Sequence, residues 1–297
     1  MNIERPKNTT AGATTVPTSV DLRGLTRVGA KPVFLDYLVA LWDYRHFIYF
    51  NARASVQTSN SRDRLGNVWL ILNPVLNGIT FYLIFGVLLH VSRGMENFLG
   101  FLLIGVFLFQ MSSRSISAGA RAIRTNLKVI QAFNFPRAAL LFAVNLRELL
   151  ASVPVVISLL LLILLFPPTE PVSLLWLLVL PALLLQTLFN LGVGLILARV
   201  VARVSDVGNI LSFAIRFWMY GSCVIFPITL FGAFPLLKGL IEINPLYQLL
   251  TIVRTAVLDN QFPQWQSWAV LTAWALGVLA VGLVYFWQGE ESYGRDE

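Results

Sequence analysis

Charge is scarce in this chain, and the places where it interrupts apolar sequence are the first to examine for chemistry. Residues 61–74, SRDRLGNVWLILNP, bring Arg62, Asp63 and Arg64 to the mouth of a long apolar run and set Pro74 inside it. A soluble protein has little use for that arrangement, whereas a membrane protein with something to grip at its cytoplasmic face does. Arg147 and Glu148 stand side by side at the start of another apolar run. Neighbouring helical positions face different ways, so this pair is not expected to neutralise itself. Arg216 lies in the middle of ILSFAIRFWMYGSCVIF, about 15 Å along a helix from Asp206. An arginine at that depth is costly unless it serves a pathway or an inter-helix contact.

None of this amounts to a catalytic constellation. There is no G-x-x-x-x-G-K-[ST] phosphate loop, no H-E-x-x-H and no G-x-S-x-G. His46 and His90 are too few and too far apart for a metal site, and the single Cys223 excludes an internal disulfide framework or a cysteine cluster. Glu148 and Arg216 alone are too little for acid–base work inside the apolar runs. No catalytic residue, metal ligand or cofactor is therefore expected on this chain. It reads as a conduit whose energy source lies on another chain.

The elements that would position these residues follow from composition. The 297 residues are 57% hydrophobic and 12% charged, where a soluble domain is about a quarter charged. About 20 apolar residues cross the roughly 30 Å hydrocarbon core as a helix. Six stretches meet or approach that length: Val68–Val91, Phe98–Ala118, Leu149–Phe166, Val172–Ala198, Val207–Ile228 and Trp268–Trp287. They do not alternate in polarity, which excludes a closed barrel. The expected fold is an all-α integral membrane protein with six transmembrane helices.

Orientation follows from the basic residues. Residues 1–66 hold nine of them, the connection after span two holds Arg121, Arg124, Lys128 and Arg137, and the one after span four holds Arg199 and Arg203. The alternate connections are nearly bare, so both termini are expected in the cytosol and the chain in the cytoplasmic membrane. The net charge of +7 then needs no nucleic acid, because anionic lipids face the same side.

Three segments are neither span nor ordinary loop. Residues 1–33, rich in Thr, Gly and Pro, read as a disordered cytosolic tail. Residues 34–60 open with an aromatic amphipathic stretch in which Phe34, Tyr37, Leu38, Leu41 and Ile48 recur at helical spacing, as in a helix lying in the interface. The connection RAIRTNLKVIQAFNFPRAALLF carries apolar residues in a basic stretch, as at a protein–protein contact. Between spans five and six, residues 229–265 split at Asn244-Pro245 into two apolar pieces, each too short to span, which fits helices dipping into the outer leaflet.

Taken together, these segments resemble the permease subunits of the ABC-2 family, the polysaccharide and O-antigen exporters of the Wzm type, most of all the mycobacterial galactan exporter. Four patches carry the resemblance: RDRLGNVWLILNP (62–74), TNLKVIQAFNFPRAALL (125–141), RVSDVGNIL (203–211) and INPLYQLLTIVR (243–254). Ser205 stands where the family often has arginine. Domain 61–288 would be the ABC-2 transmembrane domain, followed by a cytosolic tail at 289–297.

The resemblance implies a homodimer bound to two copies of a separate nucleotide-binding ATPase, which would hold the ATP and magnesium. Its cargo would be a lipid-linked glycan, galactan or O-antigen-like, moved among membrane lipids. Leu127, Lys128, Phe133, Phe135, Pro136 and Arg137 would couple to the ATPase. Arg62, Arg64, Gly66, Trp69 and Pro74 would form the cytoplasmic gate that meets the lipid head group. Arginine suits phosphate through bidentate bonding. Phe81, Tyr82 and Phe85 of span one, with Phe213, Arg216, Phe217, Trp218 and Tyr220 of span five, would line the channel. A small amphiphile or antibiotic is the alternative cargo, and an intramembrane transferase or a membrane scaffold the alternative classes.

Overall fold

The computed structural model describes residues 33–58, 65–88, 97–133, 135–165 and 170–293. The tail expected at 1–33 and the arginines Arg62 and Arg64 therefore lie outside the described residues, save Val33. Helices account for nearly all of what is described, and no strand occurs among the described residues. In chain order they are α1 (Phe34–Asp43), α2 (Arg45–Thr58), α3 (Trp69–Phe81) continued by a π-helical stretch (Tyr82–Leu88), α4 (Phe98–Thr125), α5 (Leu127–Ala132) and α6 (Ala138–Leu165). There follow α7 (Val179–Arg203), α8 (Val207–Tyr220), α9 (Pro235–Ile243), α10 (Pro245–Val257) and α11 (Trp265–Gln288).

Among the described residues, four helices are long and apolar enough to cross a membrane: α4, α6, α7 with its short 3₁₀ lead-in, and α11. The pair α9 and α10 makes a fifth if counted as one span, bent by 82° at its break. The expected fifth span is shorter than the sequence suggested. α8 has 14 residues, which is about 21 Å of helix, and the chain then turns at Gly221 rather than running helically to Ile228.

α7 is the centre of the bundle, and two glycines put it there. Gly192 and Gly194 are two residues apart, so they face opposite sides of the helix. Gly194 meets Gly119 of α4: a Cβ on Gly119 would lie 3.1 Å from the Gly194 Cα. Gly192 meets α11, where a Cβ would lie 2.6 Å from the Leu279 backbone nitrogen. Without side chains at these points the backbones come into contact, the packing that helices use where there is no hydrophobic drive between them. Polar residues tie α7 to α4 and bring in α6. Ser115 donates to Asn145 Oδ1 at 2.8 Å, and Asn145 Nδ2 donates to the Thr187 carbonyl at 3.2 Å. Gln186 Nε2 donates to Ser112 Oγ at 2.7 Å and to Asn190 Oδ1 at 3.0 Å. These bonds join α4, α6 and α7.

One end of the bundle collects Arg137, Arg199 and Arg203 with the start of α1 and the end of α11, and is called the basic end below. There Arg199 donates to the Tyr285 carbonyl and lies over the Tyr285 ring, its Cζ 4.1 Å from the centroid.

Candidate functional site

The connection from α4 to α6 forms a tip at the basic end. Asn126 closes α4, its Nδ2 donating to the Ala122 carbonyl at 2.8 Å, and the chain immediately starts α5. Ile130 faces inward, 4% exposed, in the cluster that contains Tyr37, Ile48 and Ala122. With that anchor fixed, helical spacing turns Lys128 and Val129 outward, and Phe133 after the helix is 67% exposed. Leu127 is half-buried. Phe135 turns the other way and packs on Tyr44 and Phe47, ring centroids 6.3 and 6.0 Å away. Pro136 opens α6, accepting from the Ala139 N–H at 2.9 Å.

Arg137 is held by a residue that carries no signal when read along the chain. The Glu290 carboxylate, 4% exposed, accepts from the Arg137 backbone N–H at 2.8 Å and lies 3.5 Å from its Nη1. Its other oxygen accepts from the Tyr37 hydroxyl at 2.9 Å, and that hydroxyl accepts from the Ala138 N–H at 3.2 Å. Burial pushes the Glu290 carboxyl above the usual carboxylate range, against the opposing pull of the bonds from Arg137 and Tyr37. Burial, with the Glu290 charge second, pushes the Tyr37 phenol up as well. Tyr293 stacks on Phe286 with centroids 4.6 Å apart and donates to its carbonyl at 3.0 Å. The segment expected as a tail at 289–297 is thus packed as far as Tyr293, the last described residue. One carboxylate joins α1, the start of α6 and the chain's end.

The expected gate and channel residues divide. Gly66 has φ 49°, a backbone conformation that suits glycine, where the chain turns into α3. Trp69 is half-buried at the first position of α3. Pro74 lies within α3, and Phe81, Tyr82 and Phe85 lie on α3 and its π-helical continuation, with side chains outside what is described. Phe213, Arg216, Phe217 and Tyr220 are exposed along α8, the Arg216 Cζ 5.9 Å from the Phe213 centroid. Spacings of four and three put Phe213, Phe217 and Tyr220 on one face. Trp218 does not join them. It packs among Phe109 and Phe189 inside the protomer, and its Nε1 donates to Asn244 Oδ1 at 3.1 Å. Arg147 and Glu148 also depart from expectation: their side chains bend round to each other, with Arg147 Nε donating to Glu148 at 3.2 Å. Long flexible stems let adjacent residues meet although their Cβ atoms diverge.

Comparison with known proteins places this arrangement. The profile of the ABC-2 type transporter family matches residues 48–258, most of the chain. The chain belongs to the ABC-2 type transporter family. It is similar to the O-antigen export system permease protein RfbA of Myxococcus xanthus, 23% identical over 252 residues that make up 83% of this chain and 91% of that relative. Two Klebsiella pneumoniae proteins of the same description are 25% identical over 166 residues and 26% over 165. Each of those matches spans 54% of this chain and 61% of the relative. Tyr37 and Glu290 lie outside the segment that the ABC-2 family profile covers.

Inside that segment, the Asn-Pro and arginine of INPLYQLLTIVR prove to be staples for an ABC-2 helix that stops early. Asn244 Oδ1 caps α10 at the Leu246 N–H, 3.0 Å, while its Nδ2 donates to the Gly221 carbonyl at 3.0 Å and to Ser222 Oγ at 2.9 Å. Arg254, 8% exposed, donates to the carbonyls of Cys223 at 3.1 Å, Val224 at 2.9 Å and Phe101 at 3.0 Å. Its Cζ sits 3.4 Å from the Phe101 ring centroid. Backbone carbonyls left free after α8 would be costly among apolar neighbours. Here Asn244 and Arg254 satisfy them, which is why the chain can leave the helix at Gly221.

Proposed function

We propose that the chain is the permease of an ATP-driven exporter that moves a lipid-linked polysaccharide across the cytoplasmic membrane. The observation that carries this reading is the likeness to an O-antigen export permease along 91% of that relative's length. The export step would use two copies of this chain and two of a separate ATPase, which holds the ATP and magnesium. An exporter of this kind needs a passage between membrane halves, a way to receive motion from the ATPase, and an opening for the lipid.

The tip supports the second need. Phe133 and Val129 present apolar surface beside Lys128 at the basic end, and exposed apolar patches of this kind mark protein contacts. Phe135, Pro136 and Arg137 hold the tip to α1, α6 and the chain's end, so a push on Phe133 is passed to packed helices rather than lost in a loose loop. The outward faces of α3 and α8 support the first need. Leu76 and Ile79 on α3, Leu83 on its continuation, and Phe213, Phe217 and Tyr220 on α8 are exposed large apolar side chains. They would face the second copy and the passage, where aromatic rings stack on the C–H faces of sugars. The six-span topology has α3 with its continuation as the first span, α8 as the fifth and α9–α10 as re-entrant helices. It is consistent with the clustering of Arg137, Arg199 and Arg203 at one end, which the positive-inside rule puts in the cytosol. The cargo is an O-antigen-like glycan or galactan.

The test is gentle extraction of the tagged chain from its native membrane and identification of what co-purifies in stoichiometric amount. A soluble chain with a phosphate loop, crosslinking to cysteines placed at Lys128 or Phe133, is expected. No ATPase, even after crosslinking, overturns the reading.

A further inference from the structure

A hollow of about 480 Å³ with a mixed lining of charged, polar and apolar side chains opens between α2, α4 and α6 toward the basic end. Arg114 and Arg121 line it from α4; seven residues apart, they share one face two turns from each other. Asn51 and Ser55, one turn apart on α2, line a second side, and Arg147 and Glu148 of α6 a third. The charge facing the hollow is three arginines against one carboxylate.

Position makes this notable. Arg147 stands just before the apolar run Leu149–Phe166, and Arg114 lies four residues inside the end of the run Phe98–Ala118, so both sit where apolar helix gives way to the basic end. Arginines at such a boundary are tolerated where they face a wet cavity or a partner. Arg147 has Glu148. Arg114 Nε reaches only the Gln110 backbone carbonyl, at 3.4 Å, and among the described residues no carboxylate pairs with Arg114 or Arg121.

We propose that this hollow seats the phosphoryl head group of an anionic lipid, with Arg114 and Arg121 as its standing cations and Arg147 as the third, released from Glu148 when the ligand binds. Guanidinium forks bind phosphoryl oxygens in pairs, whereas a zwitterionic head group would leave the excess positive charge unmatched. The diphosphate of a lipid-linked glycan and the phosphodiester of bulk anionic lipid share this chemistry. That the former arrives here rests on the permease reading; the phosphoryl site itself does not. Glu148 sets the resting state by occupying Arg147, so the ligand must compete with it.

The test places the full chain in phosphatidylcholine nanodiscs and measures binding of a fluorescent polyprenyl diphosphate, with phosphatidylglycerol as competitor. R121Q is expected to weaken binding about tenfold, the loss of one charge-assisted pair, without changing thermal stability because Arg121 is exposed. R114Q/R121Q weakens it further, R121K restores part, and E148Q strengthens it by freeing Arg147. Wild-type affinity in R114Q/R121Q overturns the site, as does failure of the wild type to bind either lipid. Phosphatidylglycerol competing at equal affinity supports the site and assigns it to bulk lipid. Arginine-dependent binding of phosphatidylglycerol with none of polyprenyl diphosphate supports the site and removes the cargo reading.

Discussion

Glu290 offers the sharpest test of how the basic end is held. Replacing it by alanine takes the acceptor from two donors, the Tyr37 hydroxyl and the Arg137 backbone N–H. Each buried donor left unpaired costs about 1–3 kcal/mol. Relief from burying a carboxylate, visible in its raised pKa, offsets part of that. A net cost of about 2 kcal/mol remains, equal to about a thirtyfold increase in local opening. Hydrogen exchange in nanodiscs reads it directly: peptides over 135–141 and 284–293 should lose that much protection in E290A, while the α4–α7 core around Gly119 and Gly194 keeps its own. In E290Q one oxygen can still accept from Arg137, and the loss should be about half as large in free energy. The pH dependence carries a sign. Because burial raises the folded pKa of Glu290, the folded state favours the neutral acid. Its contribution is full below the ordinary 4.5 and is lost as pH rises through the raised folded value. The protection of wild type relative to E290Q should therefore fall with rising pH across that window. Unchanged protection in E290A, or a ratio that rises with pH, refutes the reasoning.

Other substitutions separate packing from contact. A side chain at Gly192 must push α11 away, so G192A should cost about 1–3 kcal/mol and lower the melting temperature, while G277A, with open space around its Cβ, should not; equal melting of the two would remove the close-approach account of α7. F133A should abolish capture of the ATPase with the fold intact, whereas F135A should destabilise the tip because Phe135 packs on Tyr44 and Phe47; the reverse order would put the contact elsewhere. R254Q leaves buried carbonyls at 101, 223 and 224 short of donors, at about 2–4 kcal/mol, and should expose Cys223, now 1% accessible, to a membrane-permeant maleimide. Lack of labelling in R254Q would show that the turn after α8 holds without it.

Much of this molecule is legible residue by residue. In an apolar medium every backbone group must be satisfied locally, so a run such as Phe98–Ala118 or Leu149–Phe166 dictates helix by itself, and α4 and α6 only extend those runs with polar and basic turns toward the basic end. The tip could be found the same way, since LKVIQAF mixes charge and exposed apolar residues where an ordinary turn would be polar. Family membership was carried by short patches whose spacing survives in one sequence, and the profile match bears it out over residues 48–258.

What the chain could not reveal locally depends on partners far away in sequence. The apolar run through Val207–Ile228 reads as a whole span, yet α8 ends at Tyr220 because Asn244 and Arg254 take the carbonyls that a continuing helix would have used itself. Arg254 counts in the sequence as one more loop cation, and only its three carbonyl partners show it to be a staple. Trp218 has the composition of a channel aromatic, but a helix has two sides, and which one faces α4 and α7 is decided by packing. Glu290 and Tyr37 lie 253 residues apart, and neither carries a signal until the bundle brings the end of α11 beneath α1. Helix formation is local physics and was written in the residues; helix ends, facing directions and the satisfaction of buried polar atoms are long-range, and were settled only when the helices packed.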